Sequence, residues 1–164
     1  MTSSTFSLRR AEPGDAEVIL RFIRELATYE REPDAVETSA ETLRSQLASP
    51  EPPFECWLAW RGAEPLGFAL FFQNYSTWRG RTGIYLEDLY VTPEARGHGI
   101  GKALLRKVAA LAVERSAGRL EWAVLDWNQP AIDFYRSLGA VPMHDWTVFR
   151  LTADALERCA RAHG

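Results

Sequence analysis

The chain has 164 residues, of which 46% are hydrophobic and 25% charged. This length favours one domain with its own core, and the balance of hydrophobic and charged residues excludes a disordered, collagenous or coiled-coil chain. The 19 basic and 22 acidic residues give a net charge of −3. This charge argues against nucleic-acid binding and leaves room for a cationic partner.

Cysteine and histidine usage also limits the function. The two cysteines form no CxxC pair and the three histidines are widely spaced, so we predict no metal site. Residues 1–10 lack the apolar core of a signal peptide, and the longest apolar run, 66–72, is far shorter than the roughly 20 residues that span a bilayer. We therefore expect a cytoplasmic protein that does not bind a membrane.

The first elements are a strand and two helices. Residues 6–9 alternate in polarity and predict a strand. Asp15 follows a Pro-Gly pair and is a typical N-cap, after which apolar residues at helical spacing predict a helix to about Tyr29. A second helix is predicted over 39–48, before a proline-rich stop.

Three strands are then predicted at 56–60, 66–74 and 83–91, the last two being hairpin partners. The remaining predicted elements are a long helix (99–116), a strand (120–125), a helix (128–138) capped by Asn128, one or two strands (141–151) and a final helix (153–162). The strand-helix-strand crossover around the long helix requires a parallel pair, whereas tight turns require antiparallel ones. The predicted fold is therefore a single α/β domain over 1–164, with one mixed, mostly antiparallel sheet and helices on both faces.

The most specific motif lies between a strand and the long helix and reads Arg96-Gly97-His98-Gly99-Ile100-Gly101-Lys102. We call residues 96–102 the glycine turn. Its glycines permit a sharp turn and close ligand approach, and the free N–H groups of the following helix favour an anion such as a pyrophosphate. The spacing fits neither a Rossmann fingerprint nor a Walker loop.

The pattern Arg96-x-x-Gly99-x-Gly101 resembles the pyrophosphate loop of the GNAT superfamily of acetyl-CoA-dependent N-acetyltransferases. Further segments resemble the diamine (spermidine/spermine) acetyltransferase family, namely RELATYE at 24–30, YLEDLYV at 85–91, NQPAIDFY at 128–135 and LGA at 138–140. The resemblance spans residues 6–151. It implies the GNAT fold, in which a parallel strand pair splays apart at the centre of the sheet.

In that family acetyl-CoA lies in the gap between the splayed strands, which here are the strand ending at Val91 and the strand 120–125. The resemblance implies that strand backbone and the start of the 128–138 helix hold the pantetheine arm, while the glycine turn holds the pyrophosphate. The implied cofactor-binding residues are Leu89, Tyr90, Val91, Arg96, Gly97, His98, Gly99, Ile100, Gly101, Lys102, Asn128, Pro130, Ala131 and Tyr135.

The chemistry requires a neutral amine, yet a lysine-like amine has a pKa of about 10.4 and is mostly protonated at pH 7. Glu87 is the candidate proton acceptor, directly or through a water. Tyr135 matches the family's proton donor and would serve the leaving thiolate, and the N–H near Val91 could polarise the carbonyl. The alternatives are a solvated or ion-paired Glu87 and a Tyr135 that only packs.

The predicted amine pocket is acidic and aromatic, because carboxylates pair with ammonium groups and aromatic faces attract cations. Its candidate residues are Tyr29, Glu30, Trp78, Glu87, Asp88 and Trp146. Thr77 and His144 stand where the polyamine enzymes carry acids. This departure favours a shorter amine or a thialysine-like amino acid over spermidine and spermine.

The sequence thus predicts an enzyme that acetylates a small cationic amine. The resemblance also implies a homodimer built through the C-terminal strands. Two alternatives stay open: an acetyltransferase acting on protein N-termini or lysines, and a non-catalytic acetyl-CoA-binding module.

Overall fold

The computed structural model describes residues 5–161, and its elements follow the predicted order up to the fourth helix. They are β1 (Ser7–Arg10), α1 (Ala16–Tyr29), α2 (Ala40–Leu47), β2 (Glu55–Arg61), β3 (Glu64–Ser76), β4 (Arg81–Val91), α3 (Ile100–Glu114), β5 (Leu120–Glu121), α4 (Gln129–Ser137) and α5 (Ala153–Arg161). All five predicted helices are confirmed; residue 162, the predicted end of the last, lies outside the described residues.

The sheet has five strands in the order β1-β2-β3-β4-β5. Neighbours are antiparallel except β4 and β5, which the α3 crossover makes parallel. The predicted mixed sheet and the β3–β4 hairpin are therefore confirmed. The strand predicted over 120–125 is shorter, because β5 pairs with β4 only at Ile84–Leu120 and Tyr85–Glu121. Beyond Tyr85, no strand of the described chain pairs with β4 on that side.

Helices cover both faces of this sheet, as predicted. Phe68 and Tyr90 point towards α1, where the ring of Phe22 lies 5.6 and 5.9 Å from theirs between centroids. The residue after Trp57 in β2 pairs with Phe68 of β3 and shares the α1 face. Since side chains alternate along a strand, Trp57 points to the opposite face of the sheet. There its ring lies 4.3 Å from the Nζ atom of Lys107, on α3.

Asp15 occupies the predicted N-cap position of α1, but its side chain makes no capping hydrogen bond there. Its carboxylate instead accepts two hydrogen bonds from Arg9, at 2.7 and 2.8 Å, and one from the backbone N–H of Glu12 at 2.8 Å. The carboxylate of Asp15 pairs with Arg9 because a bidentate, charge-assisted pair is stronger than a single capping hydrogen bond from a backbone N–H.

The prediction of one or two strands over 141–151 is also wrong, since these described residues form none. A strand needs a neighbour for its backbone groups, and no described segment pairs with this one. Its apolar side chains are exposed, Val148 by 83% and Phe149 by 93%. A run rich in apolar residues does not by itself provide a partner strand.

The chain forms two compact units that divide between Leu125 and Asp126. The first contains the sheet with α1, α2 and α3, and the second contains α4 and α5. That the whole chain acts as one acetyltransferase domain stays a prediction. Within residues 5–161, no helix has the length and apolarity needed to cross a membrane.

Candidate active site

The glycine turn has the backbone that its sequence predicts. Gly97 and Gly99 adopt φ values of 81° and 79°, in the left-handed region that L side chains rarely adopt. A Cβ atom built on either glycine would meet no other atom within 4 Å. The glycines are therefore required by the backbone conformation, and the space beside them is open to a ligand.

The turn leads directly into α3, with Gly99 as the N-cap. The first backbone bond of this helix runs from the N–H of Ala103 to the carbonyl of Gly99, at 2.9 Å. The N–H groups of Ile100, Gly101 and Lys102 therefore have no acceptor within the helix, and the helix dipole adds partial positive charge at this end. The side chain of Ile100 is fully buried and fixes this turn against the core. The arrangement suits an anion of pyrophosphate size.

The side chains of Arg96 and His98 contact the protein around the glycine turn. The Nε–H of Arg96 donates to the carbonyl of Val91 at 3.0 Å, and its guanidinium carbon lies 5.2 and 5.6 Å from the ring centroids of Tyr29 and Tyr90. The Nδ1 atom of His98 lies 2.9 Å from the carbonyl oxygen of Arg96. Both side chains thus brace the turn.

Tyr90 is linked to α1, a contact that sequence reasoning missed. The hydroxyl of Tyr90 donates to a carboxylate oxygen of Glu25 at 2.9 Å. Burial, followed by this bond to a carboxylate, raises the pKa of Tyr90 to about 12. Glu25 also lies 3.4 Å from Arg21. The available signal for this contact was Glu25, a carboxylate one turn before the end of α1, but its hydrogen-bond partner Tyr90 lies 65 residues further along the chain.

The C-terminal half of β4 carries the predicted pantetheine contacts, Leu89, Tyr90 and Val91. Because β5 stops pairing after Tyr85, the backbone on that edge of β4 is available to a ligand. The strand also bulges at Glu87: Leu70 of β3 pairs with Asp88 and the next residue pairs with Leu86, which leaves Glu87 as the extra residue. Bulges of this kind redirect side chains and are frequent beside active sites.

Glu30, Glu87 and Asp88 lie together in the first unit, and we call them the acidic cluster. Burial raises the pKa of Asp88 to about 7, with further contributions from the charges of Glu87 and Glu30. Burial, followed by the charge of Glu87, also raises the pKa of Glu30. Three neighbouring carboxylates form a site of negative potential, in which the charge of Glu87 opposes the ionisation of both Asp88 and Glu30. A cation bound there would relieve the repulsion.

The two aromatic candidates of the first unit lie at different places in it. Tyr29 directly precedes Glu30 at the end of α1, so it adjoins the acidic cluster. Trp78 lies in the turn between β3 and β4 and is 85% exposed. From Arg81 to Glu87 the strand extends by roughly 20 Å at 3.3 Å per residue. Within this unit, therefore, Trp78 does not lie beside the acidic cluster.

The second unit contains the other candidates. The buried side chain of Asn128 accepts a hydrogen bond from the N–H of Ala131 at 3.4 Å and caps α4, with Pro130 in the first turn. Tyr135 is half-buried on α4, and its ring centroid lies 5.4 Å from that of Phe134. Trp146 is 65% exposed. The roles of these residues stay predictions.

Among residues 5–161, no three histidine, cysteine, aspartate or glutamate side chains are grouped so that they could hold a metal ion. The donor set at the glycine turn consists of backbone N–H groups, which suit a phosphate rather than a metal.

Comparison with known proteins gives a consistent picture. Residues 19–140 match the model of the acetyltransferase (GNAT) family. The chain is 42% identical to the thialysine N-epsilon-acetyltransferase of Bos taurus over 164 aligned residues, covering 93% of this chain and 96% of that protein. It is 35% identical to the human spermidine/spermine N(1)-acetyltransferase-like protein 1, covering 92% of this chain but 23% of that longer protein. An integron cassette protein from the mobile metagenome of V. cholerae superposes with a TM-score of 0.80 at 25% identity, covering 96% and 98% of the two chains.

Proposed function

The chain belongs to the acetyltransferase (GNAT) family and is an N-acetyltransferase, and we propose that it transfers an acetyl group from acetyl-CoA to the primary amine of a small molecule. The acceptor is a diamine, a polyamine or a thialysine-like amino acid, which attacks directly in a ternary complex. The acidic cluster carries this proposal, because three carboxylates lie together there and burial, followed by the charges of neighbouring carboxylates, raises the pKa of Asp88 and of Glu30, so a cationic amine would stabilise the site.

The glycine turn fits the pyrophosphate of acetyl-CoA. The N–H groups of Ile100, Gly101 and Lys102 would hold its charge, and the open space beside Gly97 and Gly99 would admit it. The available edge of β4 at 89–91 would hydrogen-bond the amide groups of the pantetheine arm. From the family resemblance, Asn128, Pro130 and Ala131 would flank that arm. The thioester, when bound, supplies the acetyl group.

Glu87 is the proposed proton acceptor for the amine, directly or through a water. It is the exposed residue of a bulge, and its neighbours Glu30 and Asp88 are less exposed. Carboxylates on either side stabilise an ammonium group in the site, and Glu87 can accept its proton. Tyr135 is the proposed donor to the departing thiolate, on the strength of the family resemblance.

The acceptor is expected to be short. The curated relatives over nearly the whole chain include enzymes that acetylate thialysine. Thr77 and His144 stand where the resembled polyamine enzymes carry acids, so the chain offers fewer carboxylates to a long polycation. We therefore rank thialysine and other amino acids with a side-chain amine above spermidine and spermine.

A panel of acceptors tests this function. The purified protein is mixed with acetyl-CoA and thialysine, lysine, ornithine, putrescine, spermidine or a lysine-containing peptide, and free thiol release is recorded. We expect the highest kcat/KM with a short amine. Preference for the peptide would show a protein acetyltransferase instead, and acetyl-CoA binding without turnover of any acceptor would show a binding module.

We also propose that the protein is a homodimer and that its C-terminal segment forms the contact. Apolar side chains at 141–151 are exposed, and contact with a second copy would bury them. Light scattering tests this proposal, since an 18.5 kDa species in dilute solution would contradict it.

Both cysteines, Cys56 and Cys159, are free thiols, which agrees with the proposed cytoplasmic location.

A further inference from the structure

Arg96 lies where three parts of the first unit meet. Its Nε–H bonds the carbonyl of Val91, the last residue of β4, at 3.0 Å. Its guanidinium is within cation–π range of Tyr29, the last residue of α1, and of Tyr90 on β4. Its backbone begins the glycine turn. One side chain thus contacts both the helix and the strand that carry the acidic cluster.

The adjoining contacts extend this link. Tyr90 is held to α1 by its hydrogen bond to Glu25. Tyr29 is followed immediately by Glu30, the C-cap of α1 and a member of the acidic cluster. Arg96 therefore contacts the residue that directly precedes Glu30 in the chain.

We propose that Arg96 is a positioning residue that couples the glycine turn to the amine end of the site through Tyr29, rather than a ligand that binds a phosphate with its guanidinium. The inference rests on the proposed function for what binds at the two ends. The planar guanidinium matters here because it stacks on a ring while its Nε–H donates to a carbonyl. A lysine ammonium keeps the charge but cannot reproduce that combination.

Three substitutions separate the possibilities. Arg96→Lys keeps the charge and removes the planar group. Tyr29→Leu removes the ring at a partly exposed position, and Tyr29→Phe keeps the ring. We expect Arg96→Lys and Tyr29→Leu each to raise the KM for the amine about fivefold to tenfold, the loss expected for the cation–π contact that both changes disrupt. Tyr29→Phe keeps the ring and should recover most of the increase in KM seen with Tyr29→Leu.

The double variant provides the coupling test. If Arg96 acts through Tyr29, Arg96→Lys combined with Tyr29→Leu should cost little more than either change alone. Arg106→Lys, at an exposed position on α3, is the matched control and should leave the amine KM unchanged. The proposal would be overturned if Arg96→Lys had the same KM for the amine as the wild type, or if the two changes had additive effects in the double variant.

A readout that does not depend on turnover keeps the test separate from the proposed function. Calorimetric titration with CoA and the free energy of unfolding are measured for the same four chains, wild type, both singles and the double. If no amine is acetylated by the wild type, the proposed function fails, but non-additive unfolding free energies would still show the coupling. Additive unfolding free energies, together with a loss confined to CoA affinity, would show that Arg96 is a phosphate ligand.

Discussion

Replacing Asp88 by asparagine should make the protein more stable and a poorer enzyme. Asp88 is held in the acidic cluster, where burial and the charges of Glu87 and Glu30 raise its pKa from the usual 3.8 to about 7. At pH 8 the folded state must carry this carboxylate ionised against the opposition of its surroundings. Asparagine has nearly the same shape and no charge, so it removes that cost.

The magnitude follows from the pKa of Asp88. A rise from 3.8 to about 7 corresponds to an upper limit of about 4 kcal/mol at high pH. Asp88 is partly buried and its neighbours can relax, so we expect Asp88→Asn to stabilise the fold by about 1–3 kcal/mol at pH 8. For a chain of this length that raises the Tm by roughly 3–9 °C.

The sign of the pH dependence is a further check. A carboxyl whose pKa is raised on folding destabilises the native state above its folded pKa, and the cost declines as pH falls towards its unfolded value. The advantage of Asp88→Asn should therefore be full above about pH 7, smaller at pH 5 and nearly absent at pH 4.

Thermal unfolding by circular dichroism at pH 8, 5 and 4 measures the stability, and steady-state kinetics measure the KM for the amine at pH 8. Asp34→Asn, in an exposed turn, is the matched control and should change neither quantity. We expect the amine KM to rise for Asp88→Asn, because one carboxylate of the cluster is lost. A fall in Tm of similar size at every pH would refute the reasoning, since it would mean that Asp88 makes a stabilising contact.

Three other changes test the remaining sites. Gly99→Val should abolish CoA binding in a calorimetric titration, because it puts a branched side chain at a left-handed φ of 79° beside the proposed pyrophosphate site; Gly62→Val, at a φ of 56° and equally open, should still bind CoA. Tyr135→Phe should lower kcat by about 10²-fold with little change in KM if the hydroxyl serves the thiolate, and a kcat within about threefold of the wild type would remove Tyr135 from the mechanism. Glu55→Gln removes the charge that pairs with Arg115 and leaves one oxygen to accept the two hydrogen bonds, at 2.7 and 2.9 Å in the wild type, and should cost about 1 kcal/mol near pH 7. That hydrogen-bonded pair lowers the pKa of Glu55, so the cost should shrink as pH falls below about 4.5, and a pH-independent loss would contradict the assignment.

The sequence was sufficient wherever a structure depends on near neighbours along the chain. The glycine turn is such a case: the left-handed conformations of Gly97 and Gly99, the helix start at Ile100 and the free N–H groups all lie within seven residues. The alternation and turn signals of 56–91 similarly predicted the antiparallel strands β2, β3 and β4. These features are set by backbone sterics and by periodicity, which can be read locally.

Contacts between distant residues required the tertiary structure. The bond from Tyr90 to Glu25 joins residues 65 apart, and the raised pKa of Asp88 comes first from its burial and then from the charges of Glu87 and of Glu30, a residue outside β4. The bulge at Glu87 depends on the register with β3, which the sequence of β4 alone does not specify. Residues 141–151 mark the opposite limit, since their pattern predicts a strand that the described chain does not form. Periodicity determines which faces of a segment can be buried, but pairing and burial depend on what the rest of the fold places beside it.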